Sequence, residues 1–183
     1  MAMVFFRIHF FLVLFTIAYI PYSKLFHMVS SSLNMILSSI EAKGALSYID
    51  LEDEEAESFG VSKIEEFTWK QLLDLDACTR CGRCQDACPA YFSGKALNPK
   101  QVILNLRDHL YEVYPAPIAG RPAESRKDMI GEVIAPEALW DCTTCRACMQ
   151  ACPVYVEHVD KIIDMRRNLA MERGQFHESA QDA

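Results

Sequence analysis

Along the chain, apolar and polar positions divide the sequence into an apolar opening, an acidic middle and a second half with helical periodicity. Residues 10–20 carry no charge. With Val4 to Ile8 before them and the residues after Pro21, they approach the roughly 20 apolar residues a membrane-crossing helix needs. Arg7 interrupts near one end, where a long side chain snorkels to the surface. Ser30 to Ser32 and Ser38–Ser39 then sit among apolar residues, as in an amphipathic helix leaving an interface. A signal peptide fits less well. One arginine precedes the apolar run, and the run ends in AYIPYSKLFH rather than a small-x-small site. Further on, Asn98 reads as a helix cap and Pro99 as a first helical position. Val102, Leu106, Leu110 and Val113 follow on one face. Val156, Val159, Ile162, Ile163, Arg166 and Leu169 predict another helix, with Gly174 as its stop. Strand-type alternation is almost absent, so the expected class is mainly α.

Charge sharpens the boundaries. The stretch Asp50 to Glu57, DLEDEEAE, holds six acids in eight residues and reads as a solvated linker. The expected organisation is a membrane helix with its amphipathic exit (residues 1–43), an acidic linker (44–68), a helical domain (69–173) and a polar tail (174–183). The formal net charge of −7 argues against a nucleic-acid partner, because phosphate binding needs clustered Lys and Arg. Lys24 and Lys43 follow the apolar run and only Arg7 precedes it. That places the N-terminus outside and the rest in the cytoplasm by the positive-inside rule.

The chemistry lies in a repeat. Cys78, Cys81, Cys84 and Cys88 read CTRCGRCQDACP, and Cys142, Cys145, Cys148 and Cys152 read CTTCRACMQACP. Both are C-x2-C-x2-C-x3-C-P, the bacterial-type spacing for [4Fe–4S] ligation, and no cysteine falls outside them. A short loop aims three thiolates at three irons, and the fourth cysteine points to the other cluster. By that rule Cys78, Cys81, Cys84 and Cys152 hold one cluster, and Cys142, Cys145, Cys148 and Cys88 hold the second. Disulfides are disfavoured by triplets at two-residue spacing. Zinc prefers two separated C-x2-C pairs. Thiolates on iron need a reducing compartment, which again places this domain in the cytoplasm. Arg80, Arg83 and Arg146 lie inside the motifs and are candidates for raising a cluster's potential or for docking, against a plain role as solvated loop charges. Trp69 and Trp140 are expected in the core. His158, six residues after a cysteine, is expected to be a core or surface residue rather than a cluster-tuning one.

Small two-cluster ferredoxins have a short stretch between motifs, whereas 53 residues separate Cys88 from Cys142 here. With its helical insert, the pattern resembles the α-helical two-[4Fe–4S] ferredoxin domain of succinate dehydrogenase and fumarate reductase. It is more similar to heterodisulfide reductase, because both motifs match the four-iron pattern in full and CPVYVEHVDKIIDMRR looks like that group of iron–sulfur oxidoreductases. The resemblance implies electron transfer and an all-helical domain.

His9 and His27 are 18 residues apart. On one uninterrupted helix that is five turns, so both would share a face about 27 Å apart along the axis. Two interfacial histidines and two separate ligands are both compatible with that spacing; one shared iron is not. The stretch HFFLVLFTIAYIPYSKLFHMVSSSLN is similar to the last transmembrane helix of the cytochrome b (gamma) subunit of respiratory nitrate reductase, with Pro21, Ser23, Lys24 and His27 matching its P-x-S-K-x-x-H context. That resemblance implies one axial ligand each, from His9 and His27, for two b haems. It also implies electron exchange between a soluble donor such as electron-transfer flavoprotein and membrane quinone. The resemblance covers roughly residues 5–40 and 68–173. The remaining cytochrome b helices, the second axial histidines and the cysteine-rich repeats of such proteins do not occur in this sequence. They are expected from a partner, or from a longer or split protein.

The sequence therefore predicts an electron-transfer subunit of a quinone-linked oxidoreductase complex in the cytoplasmic membrane. Its cofactors are two [4Fe–4S] clusters, with haem b shared with partner helices. A membrane-tethered ferredoxin without haem is the first alternative, and a cluster-holding sensor or assembly subunit the second. Nothing in the sequence suggests acid–base or nucleophilic catalysis.

Overall fold

The computed structural model describes residues 2–23, 25–40, 45–49, 51, 59–114 and 127–177. Among them the structure is helical, with one isolated bridge between Ile130 and Ile134 and no strand, as the periodicity predicts. Lys24, Lys43, the acidic run apart from Leu51, and residues 178–183 of the tail lie outside the described residues. Helix α1 (Ala2–Tyr19) continues into a 3₁₀ turn (Ile20–Tyr22). Together they are the one described helix long and apolar enough to cross a membrane. No α1 residue is buried against the rest of the chain.

The helix does not run on to His27. Pro21 has no N–H for the helical ladder. Ser23 is extended (φ −114°, ψ 168°), and helix α2 (Phe26–Ile36) starts afresh. The Ser23 hydroxyl donates to the Ile20 carbonyl at 3.0 Å and accepts from the Leu25 N–H at 3.1 Å, replacing helical bonds with local ones. His9 and His27 therefore stand on different elements, and the common helical face expected from their spacing does not form.

Nor is α2 simply an interfacial helix. Ser30, Ser31 and Asn34 are buried, because this face packs on α3 (Trp69–Ala77). The Ser30 hydroxyl donates to the Asp76 carbonyl at 3.1 Å, and the Asn34 amide to the Val154 carbonyl at 2.9 Å. The short polar side chains let α2 approach closely while satisfying buried main-chain carbonyls.

The body comprises α3, α4 (Arg83–Asp86), α5 (Pro89–Phe92), α6 (Pro99–Val113), α7 (Pro136–Trp140), α8 (Ala147–Ala151) and α9 (His158–Met171). Thr68 and Gln71 form a capping box on α3. Asn98 caps α6 by accepting from the Gln101 N–H. The predicted α6 face carries the core: Val102, Leu106 and Val113 are buried, joined by Ile103, with Leu110 at the margin. They meet Leu75, Leu139, Ile162, Met165 and Leu169 from α3, α7 and α9. Past the end of α9, Gly174 takes the left-handed conformation (φ 59°).

The packed body begins before residue 69. Val61, Ile64 and Phe67 are buried in its core, so the expected linker is ordered packing from residue 59 onward. Gly60 makes this possible. It has φ +78°, and a Cβ there would lie 2.4 Å from the Asn168 nitrogen and the Asp164 oxygen of α9. Trp69 is not core. As the first residue of α3 it is 66% exposed, because the buried face runs through Gln71, Asp74 and Leu75. Trp140 does pack against the core, with the Arg166 guanidinium 5.4 Å from its ring centre.

One polar contact lies in the apolar interior. Asp74 on α3 and Lys161 on α9 are both fully buried and form an ion pair. Asp74 also accepts from Lys70 at 2.8 Å and from the Glu157 N–H at 3.1 Å. Burial pushes the Asp74 carboxyl up, but the Lys161 and Lys70 charges overcome it and hold the carboxyl below its ordinary value. Beside it, His158 donates from Nδ1 to the Val156 carbonyl at 2.9 Å. Burial first, and then the Lys161 charge, push His158 down to about 4, so the imidazole is neutral.

Two outcomes follow. Asp74→Leu strands the Lys161 ammonium and is expected to cost about 3–5 kcal/mol, whereas Asp74→Leu with Lys161→Met recovers much of that. Urea midpoints of the three chains measure both, and equal midpoints for the single and double variants would sink the idea. His158 binds a proton more weakly folded than unfolded. Its stabilising contribution is full above the unfolded value of about 6.5 and is lost as pH falls toward the folded value. The urea midpoint should therefore drop over that range, and His158→Gln should flatten the drop; an unchanged slope refutes it.

Candidate metal centre

The two cysteine motifs fold alike. Two residues after the first cysteine of each, the chain turns through a left-handed residue, Arg80 (φ 59°) or Thr144 (φ 53°). Four residues after it, a second follows, Gly82 (φ 88°) or Arg146 (φ 61°). The second caps a short helix, α4 or α8, that carries the third cysteine. This curl directs main-chain N–H groups at sulfur. The Thr144 N–H donates to Cys142 Sγ at 3.4 Å, and the Val156 N–H to Cys152 Sγ at 3.3 Å. The N–H groups of Arg80, Gln85 and Met149 serve Cys78, Cys84 and Cys148 in the same way.

The thiols gather across the motifs. Cys88, Cys142, Cys145 and Cys148 line one cavity, whose remaining walls include Leu97, Pro99, Val159 and Ile162. Cys78 lies in the field of Cys152 and Cys81, and Cys84 in that of Cys78, Cys152 and Cys81. Each set takes three cysteines from one motif and the last from the other. Cys84 and Cys148 pack together with Val159, so the two cages abut through α4 and α8. Within each set only the middle cysteine, Cys81 or Cys145, is exposed.

Burial pushes the Cys84 thiol up to about 11, with the Cys78 sulfur adding to it. Burial and then Cys142 push Cys148 up to about 12. Without iron these cages favour the neutral thiol; loading metal displaces the protons. Among the described residues no three His, Cys, Asp or Glu side chains converge as around a single ion. Four thiols spread about a cavity, with N–H groups aimed at sulfur, fit a cluster and not one tetrahedral zinc, whose thiolates sit about 2.3 Å from the metal.

Of the arginines inside the motifs, Arg80 and Arg83 are exposed. Arg146 is tied to Asp160 at 3.3 Å and to the Ala45 carbonyl at 3.1 Å. The charges that reach ligand sulfurs come from elsewhere. Arg107 of α6 lowers the Cys78 thiol, and Arg166 of α9 lowers Cys142, each against a larger upward push from burial. Arg166 is half-buried and donates to the carbonyls of Leu139 (2.7 Å), Trp140 (3.1 Å) and Cys142. Its only trace in the sequence is a charge on the otherwise apolar face of the α9 pattern. Arg107 leaves no such trace. His158 is buried in the Asp74 network, and no described contact joins it to a cysteine. His9 is exposed on α1, and His27 is half-buried in the first turn of α2.

The 4Fe-4S dicluster domain family matches residues 70–153. The chain carries a 4Fe–4S dicluster domain. Over 187 residues it is 41% identical to the EtfAB:quinone oxidoreductase of Syntrophomonas wolfei, an alignment covering 91% of this chain and 26% of the relative. It is 39% identical over 206 residues to the "Probable iron-sulfur-binding oxidoreductase FadF" of Bacillus subtilis, covering 96% of this chain and 29% of that one. It is 43% identical over 145 residues to the "Probable membrane-anchored ferredoxin" of Chromohalobacter salexigens, covering 70% and 21%. Iron–sulfur subunits of heterodisulfide reductases match over the dicluster part. The chain thus spans less than a third of the length of the first three relatives. No solved structure matches it.

The crossed thiol sets make a direct prediction. Cys152→Ser is expected to alter or remove the paramagnetic signal of the cluster held by Cys78, Cys81 and Cys84, and Cys88→Ser that of the other. Loss of only the second-motif signal in Cys152→Ser would overturn the crossed pairing.

Proposed function

We propose that this chain is a membrane-bound electron-transfer subunit that moves electrons between a cytoplasmic redox partner and the quinone pool. The observation that carries the reading is the pair of abutting thiol cages on a body whose chain leads directly into a helix able to cross a membrane. The clusters supply one-electron chemistry when bound. The chain supplies the rest. Cys78, Cys81, Cys84 and Cys152 hold one cluster, and Cys88, Cys142, Cys145 and Cys148 the other. Main-chain N–H groups and the Arg107 and Arg166 charges favour the more negative state of each cage. The apolar wall of Leu97, Val159 and Ile162 keeps water from the second cage.

His9 and His27 are proposed as one axial ligand each for two b haems in the assembled complex, with the second ligands on partner helices. The position of His9 on an exposed apolar helix supports this, since an intramembrane histidine is costly without a role. The break at Ser23 means that the two haem sites are set by two helices rather than one. Names of relatives that include a quinone oxidoreductase and a membrane-anchored ferredoxin agree with the reading. The dicluster domain faces the cytoplasm, where its thiolates stay reduced.

A reduced-minus-oxidised absorption spectrum of the complex purified in detergent tests the haem part. A b-type signal is expected, reduced by about one haem in His9→Ala and in His27→Ala. Iron–sulfur bleaching without haem, in wild type and variants alike, would leave a tethered ferredoxin.

A further inference from the structure

The two cages are not equivalent with respect to the membrane. Four residues of chain separate the end of the membrane-length helix at Tyr22 from Phe26, so the first turn of α2 lies within about 14 Å of that end. Two contacts from the buried face of α2 then reach the body, and both flank one cage. Ser30 holds the carbonyl of Asp76, two residues before Cys78, and Asn34 holds that of Val154, two residues after Cys152. Ser30 is 1% and Asn34 0% exposed, so these are seated contacts of a docked helix. At a rise of 1.5 Å per residue they lie about 6 and 12 Å along α2 from Phe26.

The chain meets the other cage only later. The Ala45 carbonyl accepts from Arg146, and Leu46 shares a surface hollow with Thr144, Cys145, Val159 and Ile163. Cys145 is exposed in that hollow.

We propose that α2 makes the Cys78–Cys81–Cys84–Cys152 cage the membrane-side one, and leaves the Cys88–Cys142–Cys145–Cys148 cage, through Cys145, to face the soluble redox partner. This deepens the electron-transfer reading and rests on it for direction, but the geometric part stands by itself. Ser30 and Asn34 act as positioning residues, fixing the distance from the membrane helix to the ligand loops on either side of the first cage.

The test uses the full cluster-loaded chain in lipid nanodiscs with and without nickel-chelating lipid. Paramagnetic nickel at the lipid surface speeds electron-spin relaxation of nearby clusters steeply with proximity. The two signals are assigned with Cys152→Ser and Cys88→Ser, and relaxation is read as the microwave power that half-saturates each. The expected result is a severalfold larger increase for the signal that Cys152→Ser perturbs. An equal increase, or a larger one for the signal that Cys88→Ser perturbs, overturns the assignment. No increase in either signal overturns it too, and whether the chain co-elutes with the nanodisc then tells whether the membrane reading has failed with it. Quinone reduction is not part of the readout, so a chain without quinone activity still decides which cage is nearer the lipid. In a separate arm, Ser30→Ala with Asn34→Ala is expected to narrow the relaxation difference between the two clusters. An unchanged difference would show that these two contacts do not set the geometry.

Discussion

The ion pair of Asp74 and Lys161 is the constraint on which the arrangement turns. It joins α3, which leads into the first cysteine motif, to α9, which leaves the second. Cys78 lies four residues after Asp74, and Cys152 lies nine before Lys161. A cage that needs both cysteines therefore depends on these two helices keeping their register. Buried charges are costly unless fully paired. Asp74 is paired three ways, by Lys161, Lys70 and the Glu157 N–H. Apolar residues of equal volume would pack as well, but would tolerate sliding of one helix against the other. A point charge with defined partners would not.

The same two helices connect the cages to the membrane segment. α3 receives α2 on one side and the core on the other, and its C-terminal carbonyl at Asp76 is held by Ser30. The membrane helix, α2, α3 and Cys78 thus form a short mechanical series. On the opposite side α9 brings Arg166 to the carbonyls around Cys142. α6 brings Arg107 to Cys78. Each motif is followed by a long helix that returns a guanidinium to the first cysteine of a motif. This internal symmetry is more regular than the sequences of the two helices, which align poorly.

The cost of this compactness is local backbone strain. Arg80, Thr144, Arg146 and Tyr155 all occupy the left-handed region that non-glycine residues avoid. Three of the four lie inside the ligand loops. There the curl aims N–H groups at sulfur, and the bonds to a cluster offset the strain. Only Gly82, opposite Arg146 in the repeat, takes the conformation without that cost.

By itself the sequence determined what is local or chemical. The cysteine spacing specified two four-thiol sites, because three ligands at two-residue intervals can curl around one cube and no other cysteine was present. The 3.6-residue period specified α6 and α9 with their buried faces, and the cap at Asn98 set where α6 begins. The apolar opening specified a helix of membrane length. The tertiary structure decided what depends on residues distant in sequence meeting. The proline and the Ser23 side chain break the helix before His27, because their local bonds outcompete the ladder. Residues 59–68 pack onto α9, which no local periodicity could show. The serines and asparagine of α2 look interfacial as a pattern, yet they are buried because α3 and Val154 offer carbonyls that need donors. Arg107 and Arg166 acquire their role only when α6 and α9 fold back on the cages, since a charge's effect on a thiolate depends on distance in space and not on position in the chain.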